Sequence, residues 1–271
     1  MLPLMRQEKE VHLKEILSSF QSVLVAFSGG VDSTYLLCVA QEVLKNKVLA
    51  VIASSETYPQ HELLEAKKIA EDLKANYLVI QTQELTNPKF STNPKERCYY
   101  CKLELFTQLK KIAHEKNLNY IIDGSNVDDL NDFRPGARAK KELGVYSPLQ
   151  EASFTKAEIR EASKARNLPT WNKPAYACLA SRIPYHKKIE PRILSQIDQA
   201  ENFIRSLGFT QVRVRHHENV ARIEVLREEI PRMFQYSTSE AIEKKLKELG
   251  YDFVSLDLKG YRTGSLNESL F

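Results

Sequence analysis

The stretch Ser22-Val-Leu-Val-Ala-Phe27-Ser-Gly-Gly-Val-Asp-Ser-Thr34 joins a short apolar run to the start of a helical pattern. Ser22–Phe27 has the length and composition of a buried strand, and Val31–Leu44 reads as a helix. Between them lie Gly29 and Gly30, flanked by the hydroxyls of Ser28 and Ser33. A strand that turns in this way into a helix aims several backbone N–H groups and the positive helix end at one point, which makes an anion site. The glycines let the backbone come close. Asp32 is out of place beside an anion unless a cation is present, so it predicts Mg²⁺ bridging to phosphate. Neither of the common glycine-rich nucleotide motifs, GxxxxGK[ST] or GxGxxG, occurs in the chain. A plain strand-to-helix turn capped by serine is the ligand-free reading of the same residues.

Working outward, strands are predicted at Val48–Ala53, Tyr77–Ile80 and Tyr120–Asp123. Helices are predicted at Pro59–Leu73, with Leu63, Leu64, Ala66, Ile69 and Ala70 on the apolar face, and at Cys98–His114. This alternation predicts an α/β fold, a doubly wound parallel sheet with helices on both faces. Such sheets bind ligands beyond the C-terminal ends of their strands. The loops after Phe27, Ala53 and Asp123 are therefore the places to look, and Gly124 in Asp123-Gly-Ser-Asn126 permits close backbone approach. After about Ile183 the pattern changes to a helix at Glu190–Leu207, short strands at Val212–Arg215 and Arg222–Val225, a helix at Ser239–Leu249 and a strand at Phe253–Leu256. This predicts a domain over 1–185 that carries the anion loop and a smaller α+β domain over 186–271.

Composition narrows the classes. The 271 residues hold 39 Lys+Arg against 35 Asp+Glu. A net charge of +4 is too small to argue for a nucleic-acid partner. No apolar run approaches the roughly 18–20 residues of a membrane span. The first residues read as an amphipathic helix, with Val11, Leu13, Ile16, Leu17 and Phe20 on one face, and not as a signal peptide, which points to the cytoplasm. Four cysteines in a chain of this length do not make a disulfide scaffold. Cys38, in an apolar helix, packs as a small hydrophobe. Cys98 and Cys101 form Cys-Tyr-Tyr-Cys, and Cys178 lies in the proline-bounded loop Lys173-Pro-Ala-Tyr-Ala-Cys-Leu-Ala-Ser-Arg-Ile-Pro-Tyr185. Three thiolates suit a [4Fe–4S] cluster with an open iron or a catalytic zinc. A redox pair is a further possibility for the CxxC, and unbridged cysteines fit the spacing as well as a metal site does.

SGGVDS closely resembles the pyrophosphatase-type loop of ATP-using enzymes. In that superfamily the loop holds the β/γ pyrophosphate while the α-phosphate is attacked to give an adenylate. Ser54, Ser55 and Glu56 then stand where the superfamily contacts the adenosine, and Ser28, Gly29, Gly30, Asp32, Ser33, Ser55 and Gly124 become the expected ATP set. Four further segments occur in order: Asp123–Gly136, the Cys178 loop, Thr210-Gln-Val-Arg-Val-Arg-His-His-Glu-Asn-Val-Ala-Arg-Ile-Glu224 and Leu256-Asp-Leu-Lys-Gly-Tyr-Arg-Thr-Gly-Ser-Leu-Asn267. With these the chain resembles the LarE family, the ATP-dependent sulfur transferases of nickel-pincer nucleotide synthesis, over nearly its whole length.

The resemblance implies that ATP adenylates a carboxylate of pyridinium-3,5-biscarboxylic acid mononucleotide and that a sulfur nucleophile displaces AMP, giving a thiocarboxylate. In single-cysteine members, the cysteine that matches Cys178 gives up its own sulfur and becomes dehydroalanine. Here Cys98 and Cys101 accompany Cys178, as in three-cysteine members, where the thiolates hold a [4Fe–4S] cluster that carries a sulfide. Arg213 and Arg215, two apart on a strand, share a side and form a fork for phosphate. The resemblance gives them the phosphate of the mononucleotide; a solvated basic face is the plainer reading. Glu201 and Glu224 match acidic positions that face substrate or metal. A homo-oligomer acting on a small nucleotide, with no nucleic-acid or membrane partner, is also implied.

Asp128, Asp129, Asp132 and Arg134 read as a turn rich in Asx, Trp171 as a core residue, and His216 and His217 as a solvated pair. Two departures from the family stand out. His186-Lys187-Lys188 replaces a usual glycine, which predicts altered loop geometry. The segment after Glu224 lacks an acid that some members carry, so a metal is not expected in the C-terminal domain. A tRNA thiolase, an ammonia-dependent amide ligase or a non-catalytic nucleotide-binding module are the alternatives.

Overall fold

The computed structural model describes residues 2–131, 135–174, 176–262 and 264–266, with side chains from residue 7 onward except that of residue 131. In chain order the elements are α1 (Leu2–Phe20), β1 (Val23–Ala26), α2 (Val31–Leu44), β2 (Val48–Ser54), α3 (Gln60–Asp72), β3 (Tyr77–Gln81), α4 (Pro88–Ser91), α5 (Arg97–Glu115), β4 (Tyr120–Asp123), α6 (Gly136–Leu143), α7 (Pro148–Glu151), α8 (Lys156–Ala165), α9 (Pro191–Ser206), β5 (Arg213–His217), β6 (Val220–Glu224), α10 (Ile230–Met233), α11 (Tyr236–Glu248) and β7 (Phe253–Leu256). Contacts divide the chain into two units. The first comprises Met1–Ser55, Gln60–Glu84 and Glu96–Tyr176; the second comprises Glu56–Pro59, Leu85–Lys95 and Ala177–Phe271. The division after Tyr176 differs from the sequence expectation after Tyr185, because the Cys178 loop bonds within the second unit, as Leu179 N–H to Thr57 O at 2.8 Å and His186 N–H to Asn93 O at 2.9 Å.

In the first unit four parallel strands run in the order β3-β2-β1-β4. The register pairs Ala26 with Val51 on one side and with Asp123 on the other, so β1 and β4 end level while β2 runs on to Ser54. Val23, Leu24 and Val25 are all fully buried, as a strand covered on both faces requires. Alternate side chains enter opposite cores. Val23 and Val25 pack with Leu13, Leu17, Tyr35 and Phe154, while Leu24 packs with Phe106, Leu109 and Ile121. Val11 and Leu64, expected on apolar faces, are exposed instead. The buried side of α1 is narrower than the sequence pattern, with Leu13, Ile16, Leu17 and Phe20 carrying it. No helix among the described residues is long and apolar enough to cross a membrane.

In the second unit β5 pairs antiparallel with β6, and β6 pairs parallel with β7. Val214 and Ile223 from the sheet meet Ala200 and Ile204 of α9 and Ile242 and Leu246 of α11 in a separate apolar core.

Candidate functional site

The loop between β1 and α2 is held by its own hydroxyls. Ser28 N–H donates to Ser33 Oγ at 3.3 Å, the two serine Oγ atoms are 3.1 Å apart, and Ser33 Oγ donates to Gly30 O at 3.2 Å. Gly30 is the N-cap of α2 and provides no side chain to cap it, so the first-turn N–H groups look to something else for an acceptor. Gly29 has φ +66°, and a Cβ there would stand 2.8 Å from Ala66 Cα, so only glycine fits. Gly124 is equally constrained, since its Cβ would lie 2.8 Å from Ser33 N. The loop after β4 thus rests directly on the first turn of α2.

These segments open onto a cavity of about 500 Å³ lined by Ser28, Gly30, Asp32, Ser33, Asp123 and Gly124, together with Lys102, Asn126, Asp128, Asp129 and Lys156. Each carboxylate has a defined setting. Asp32 is ion-paired with Lys156 and accepts from Asn126 Nδ2 at 3.4 Å. Burial nevertheless pushes the Asp32 carboxyl above its ordinary range, against the charge of Lys156. Asp128 accepts from Lys156 N–H at 2.7 Å, at the start of α8, and Asp129 accepts from Asn126 N–H at 3.0 Å. Asp123 accepts from Ser147 Oγ at 2.6 Å and from Ser125 Oγ at 2.9 Å, and lies 3.2 Å from Lys140 Nζ. Asp132 and Arg134 lie outside the described residues, as do Thr263 and Asn267 of the C-terminal motif. A cavity with this many oxygens and an unfilled helix end suits an anion that arrives with a hard cation. Mg²⁺ takes one or two carboxylates and completes its shell with phosphate oxygens and water, and Asp32 is placed to be such a ligand. Ser55 donates to the buried Glu84 at 2.6 Å and is not among the residues lining the cavity.

The second unit carries a buried charge cluster. Arg182 is fully buried and forks onto Glu201 at 2.8 and 3.0 Å. Glu201, also fully buried, accepts further from Arg205 at 2.7 Å and from Val214 N–H at 3.0 Å. Burial alone would raise the Glu201 pKa, but the charges of Arg182, Arg213 and Arg205 outweigh it and hold it at about 2. Arg182 also donates to the carbonyls of Ala177 at 2.7 Å and Cys178 at 3.0 Å, and so sets the backbone of the cysteine loop. Arg215 forks onto Glu224 at 2.9 and 2.8 Å and donates to Ser181 O at 2.7 Å. Arg213 sits over the Tyr261 ring at 5.3 Å. Burial, then the charge of Arg182, lowers the Arg213 guanidinium to about 10. Arg213 and Arg215 are therefore buried charges and not a solvated face. Arg182, Arg213 and Arg215 are buried with Glu201 and Glu224, and guanidiniums gathered in this way have the chemistry to accept a phosphate.

None of the four cysteines forms a disulfide among the described residues. Cys98 and Cys101 lie one turn apart at the start of α5 in the first unit, and Cys178 belongs to the second. Among the described residues no group of three or more His, Cys, Asp or Glu side chains is arranged to hold a metal ion. Thiolates at Cys98, Cys101 and Cys178 have the donor chemistry that suits iron and sulfide. Cys38 is half-buried, and burial pushes its thiol pKa up.

Two expectations are corrected. Trp171 is partly exposed, with Lys164 Nζ 4.6 Å from its ring, and does not anchor the core. His216 is half-buried with Nδ1 3.3 Å from the Tyr251 hydroxyl, so only His217 is solvated. His186 has φ +65°, the left-handed conformation that glycine favours. Sequence reasoning missed Lys156, Asn126, Lys140 and Arg182. A signal existed for the first: Thr155-Lys-Ala-Glu158 is a capping box, with Thr155 N–H donating to Glu158 Oε2 at 2.8 Å and Glu158 N–H to Thr155 Oγ1 at 3.3 Å.

A parallel sheet whose first strand turns through Ser28–Ser33 into a helix defines the pyrophosphatase-loop class of α/β proteins, and the NAD synthase family model matches residues 6–103. The chain is 40% identical over 266 residues to an uncharacterised protein of Synechocystis, covering 98% of this chain and 99% of that one. It is 37% identical over 263 residues to the pyridinium-3,5-bisthiocarboxylic acid mononucleotide synthase of Lactiplantibacillus plantarum, covering 97% and 95%. Similarity to a glutamine-hydrolysing GMP synthase polypeptide of Archaeoglobus fulgidus is lower, 25% over 157 residues, covering 54% of this chain and 51% of that one. The chain belongs to the LarE family.

Proposed function

We propose that this protein is an ATP-dependent sulfur transferase acting on pyridinium-3,5-biscarboxylic acid mononucleotide. The observation that carries the reading is the Ser28–Ser33 loop at an oxygen-lined cavity, in a chain 37% identical to a bisthiocarboxylate mononucleotide synthase. A substrate carboxylate oxygen attacks the α-phosphorus of ATP, and pyrophosphate leaves with the bonding electrons. Backbone N–H groups of the loop and first turn of α2, with Ser28, Ser33 and Lys156, stabilise the charge that develops on the leaving group. Asp32 would hold Mg²⁺, which supplies charge neutralisation at the phosphates. A sulfur nucleophile then attacks the acyl carbon, and AMP leaves.

Arg213, beside Arg182, suits the phosphate of the mononucleotide. Arg215 and Glu224 keep each other in register, and Glu201 holds Arg182. Cys178 is the nucleophile nearest in sequence to this cluster, and its carbonyl is fixed by Arg182. Cys98, Cys101 and Cys178 are the residues that would hold a [4Fe–4S] cluster, which would supply an iron-bound sulfide. A homo-oligomer belongs to the same reading.

Incubation with ATP, Mg²⁺ and the mononucleotide tests it: AMP, pyrophosphate and a product heavier by the exchange of oxygen for sulfur are expected. AMP formation only with another acceptor, such as ammonia, would overturn the substrate assignment. ATP binding without turnover would leave a nucleotide-binding module. Iron and sulfide content of protein purified without oxygen, wild type against Cys98→Ala, separates the cluster route from loss of sulfur by Cys178 itself, which removes the mass of one H₂S from the chain.

A further inference from the structure

Lys173 reaches the anion loop from the side of α3. It is 9% exposed. Its ammonium lies 2.9 Å from Glu62 Oε2 and 2.9 Å from Glu65 Oε2, both on α3, and donates to the Gly29 carbonyl at 3.3 Å. An ammonium has three hydrogens, and three acceptors surround this one. The lysine backbone is held as well. Arg160 of α8 donates to Trp171 O at 2.8 Å and to Lys173 O at 2.7 Å.

Two carboxylates already offset the charge of a buried lysine. The contact with Gly29 does something more specific. The peptide unit is planar and trans, so the Gly29 C=O and the Gly30 N–H point in opposite directions. Two adjacent glycines let that peptide rotate at little steric cost. A carbonyl drawn toward Lys173 keeps the Gly30 N–H directed away from α3. Gly30 lines the cavity, and its N–H donates at 3.4 Å to Oγ of Ser28, which lines the same cavity. We infer that Lys173 is a positioning residue for the anion loop: it holds the Gly29–Gly30 peptide with its N–H toward the cavity, and so sets affinity for the pyrophosphate part of a nucleotide and not for its adenosine part. The inference rests on the loop being a phosphate site, as proposed above.

Calorimetry with Mg²⁺-pyrophosphate and with AMP tests it in wild type, Lys173→Met and the double variant Lys173→Met/Glu62→Gln. The double variant removes the buried carboxylate that the single change leaves without its lysine. Pyrophosphate affinity is expected to fall by about tenfold or more in the folded variants, the worth of roughly one charge-assisted contact, with AMP affinity within about twofold of wild type. A folded double variant that binds pyrophosphate like wild type overturns the inference, as does an equal loss for AMP, which marks a merely structural role. Wild type that binds neither probe overturns the nucleotide reading itself.

Discussion

Lys156, in the first turn of α8, is ion-paired with Asp32, in the first turn of α2, at the cavity where the anion loop opens. On the proposed reading Asp32 would be a ligand of Mg²⁺, and the lysine occupies that carboxylate. Arrival of a metal-bound nucleotide would release Lys156 to the phosphates. Lys156→Met should therefore tighten Mn²⁺ binding in the absence of nucleotide, read by electron paramagnetic resonance, and lower the rate of AMP formation by about 10²-fold. Unchanged Mn²⁺ affinity together with unchanged rate would remove Lys156 from the site.

The Arg182–Glu201 pair is fully buried on both sides. Removing one partner leaves a buried charge short of its main counter-ion, at a cost of about 3–5 kcal/mol. Arg182→Met should lower the stability of the second unit by about that amount in denaturant unfolding. Arg182→Met/Glu201→Gln should recover a good part of it. A single variant as stable as wild type would show that Arg205 and the Val214 amide suffice for Glu201.

Acid sensitivity follows from the same carboxylate. Glu201 has an ordinary pKa of 4.5 and is held at about 2 in the fold. A depressed carboxylate contributes stability that is full above its unfolded pKa and is lost as pH falls through the window toward the folded value, by about 1.4 kcal/mol per pKa unit. Stability should therefore decline between about pH 5 and pH 2, and the decline should be shallower in Glu201→Gln. Parallel pH profiles for the two proteins would refute this origin.

His186 holds φ +65° without being glycine. A non-glycine residue in this region costs about 1 kcal/mol, partly offset by the greater unfolded-state freedom of glycine. His186→Gly should leave the melting temperature unchanged or raise it by a few degrees. His186→Val, β-branched, should lower it. A marked loss with glycine would mean that the imidazole makes a contact worth more than the strain.

Much of the first unit is legible in the sequence because its signals are local. The α2 bounds read from the sequence, Val31–Leu44, are those of the structure, and so are the β4 bounds, Tyr120–Asp123. Four-residue turns such as Pro88–Ser91 are too short to show a period, and the periodic reading passes over α8 although Thr155 and Glu158 announce its start. Val11 and Leu64 show the converse error: apolar residues at an allowed spacing read as part of a buried face that the neighbouring elements do not cover.

The sequence by itself determined the anion loop, since strand, glycines, serines and helix are contiguous and their geometry needs only neighbouring residues. It also set Cys98, Cys101 and Cys178 apart from Cys38, and the family resemblance made those three the candidates for sulfur chemistry. Tertiary structure decided the partners. Lys156 meets Asp32 across 124 residues, Lys173 meets Gly29 across 144, and Arg215 meets Ser265 across 50. Periodicity reports only which side of an element is apolar. Which charge meets which depends on how loops return distant segments, and on burial, which makes an unpaired charge too costly to leave.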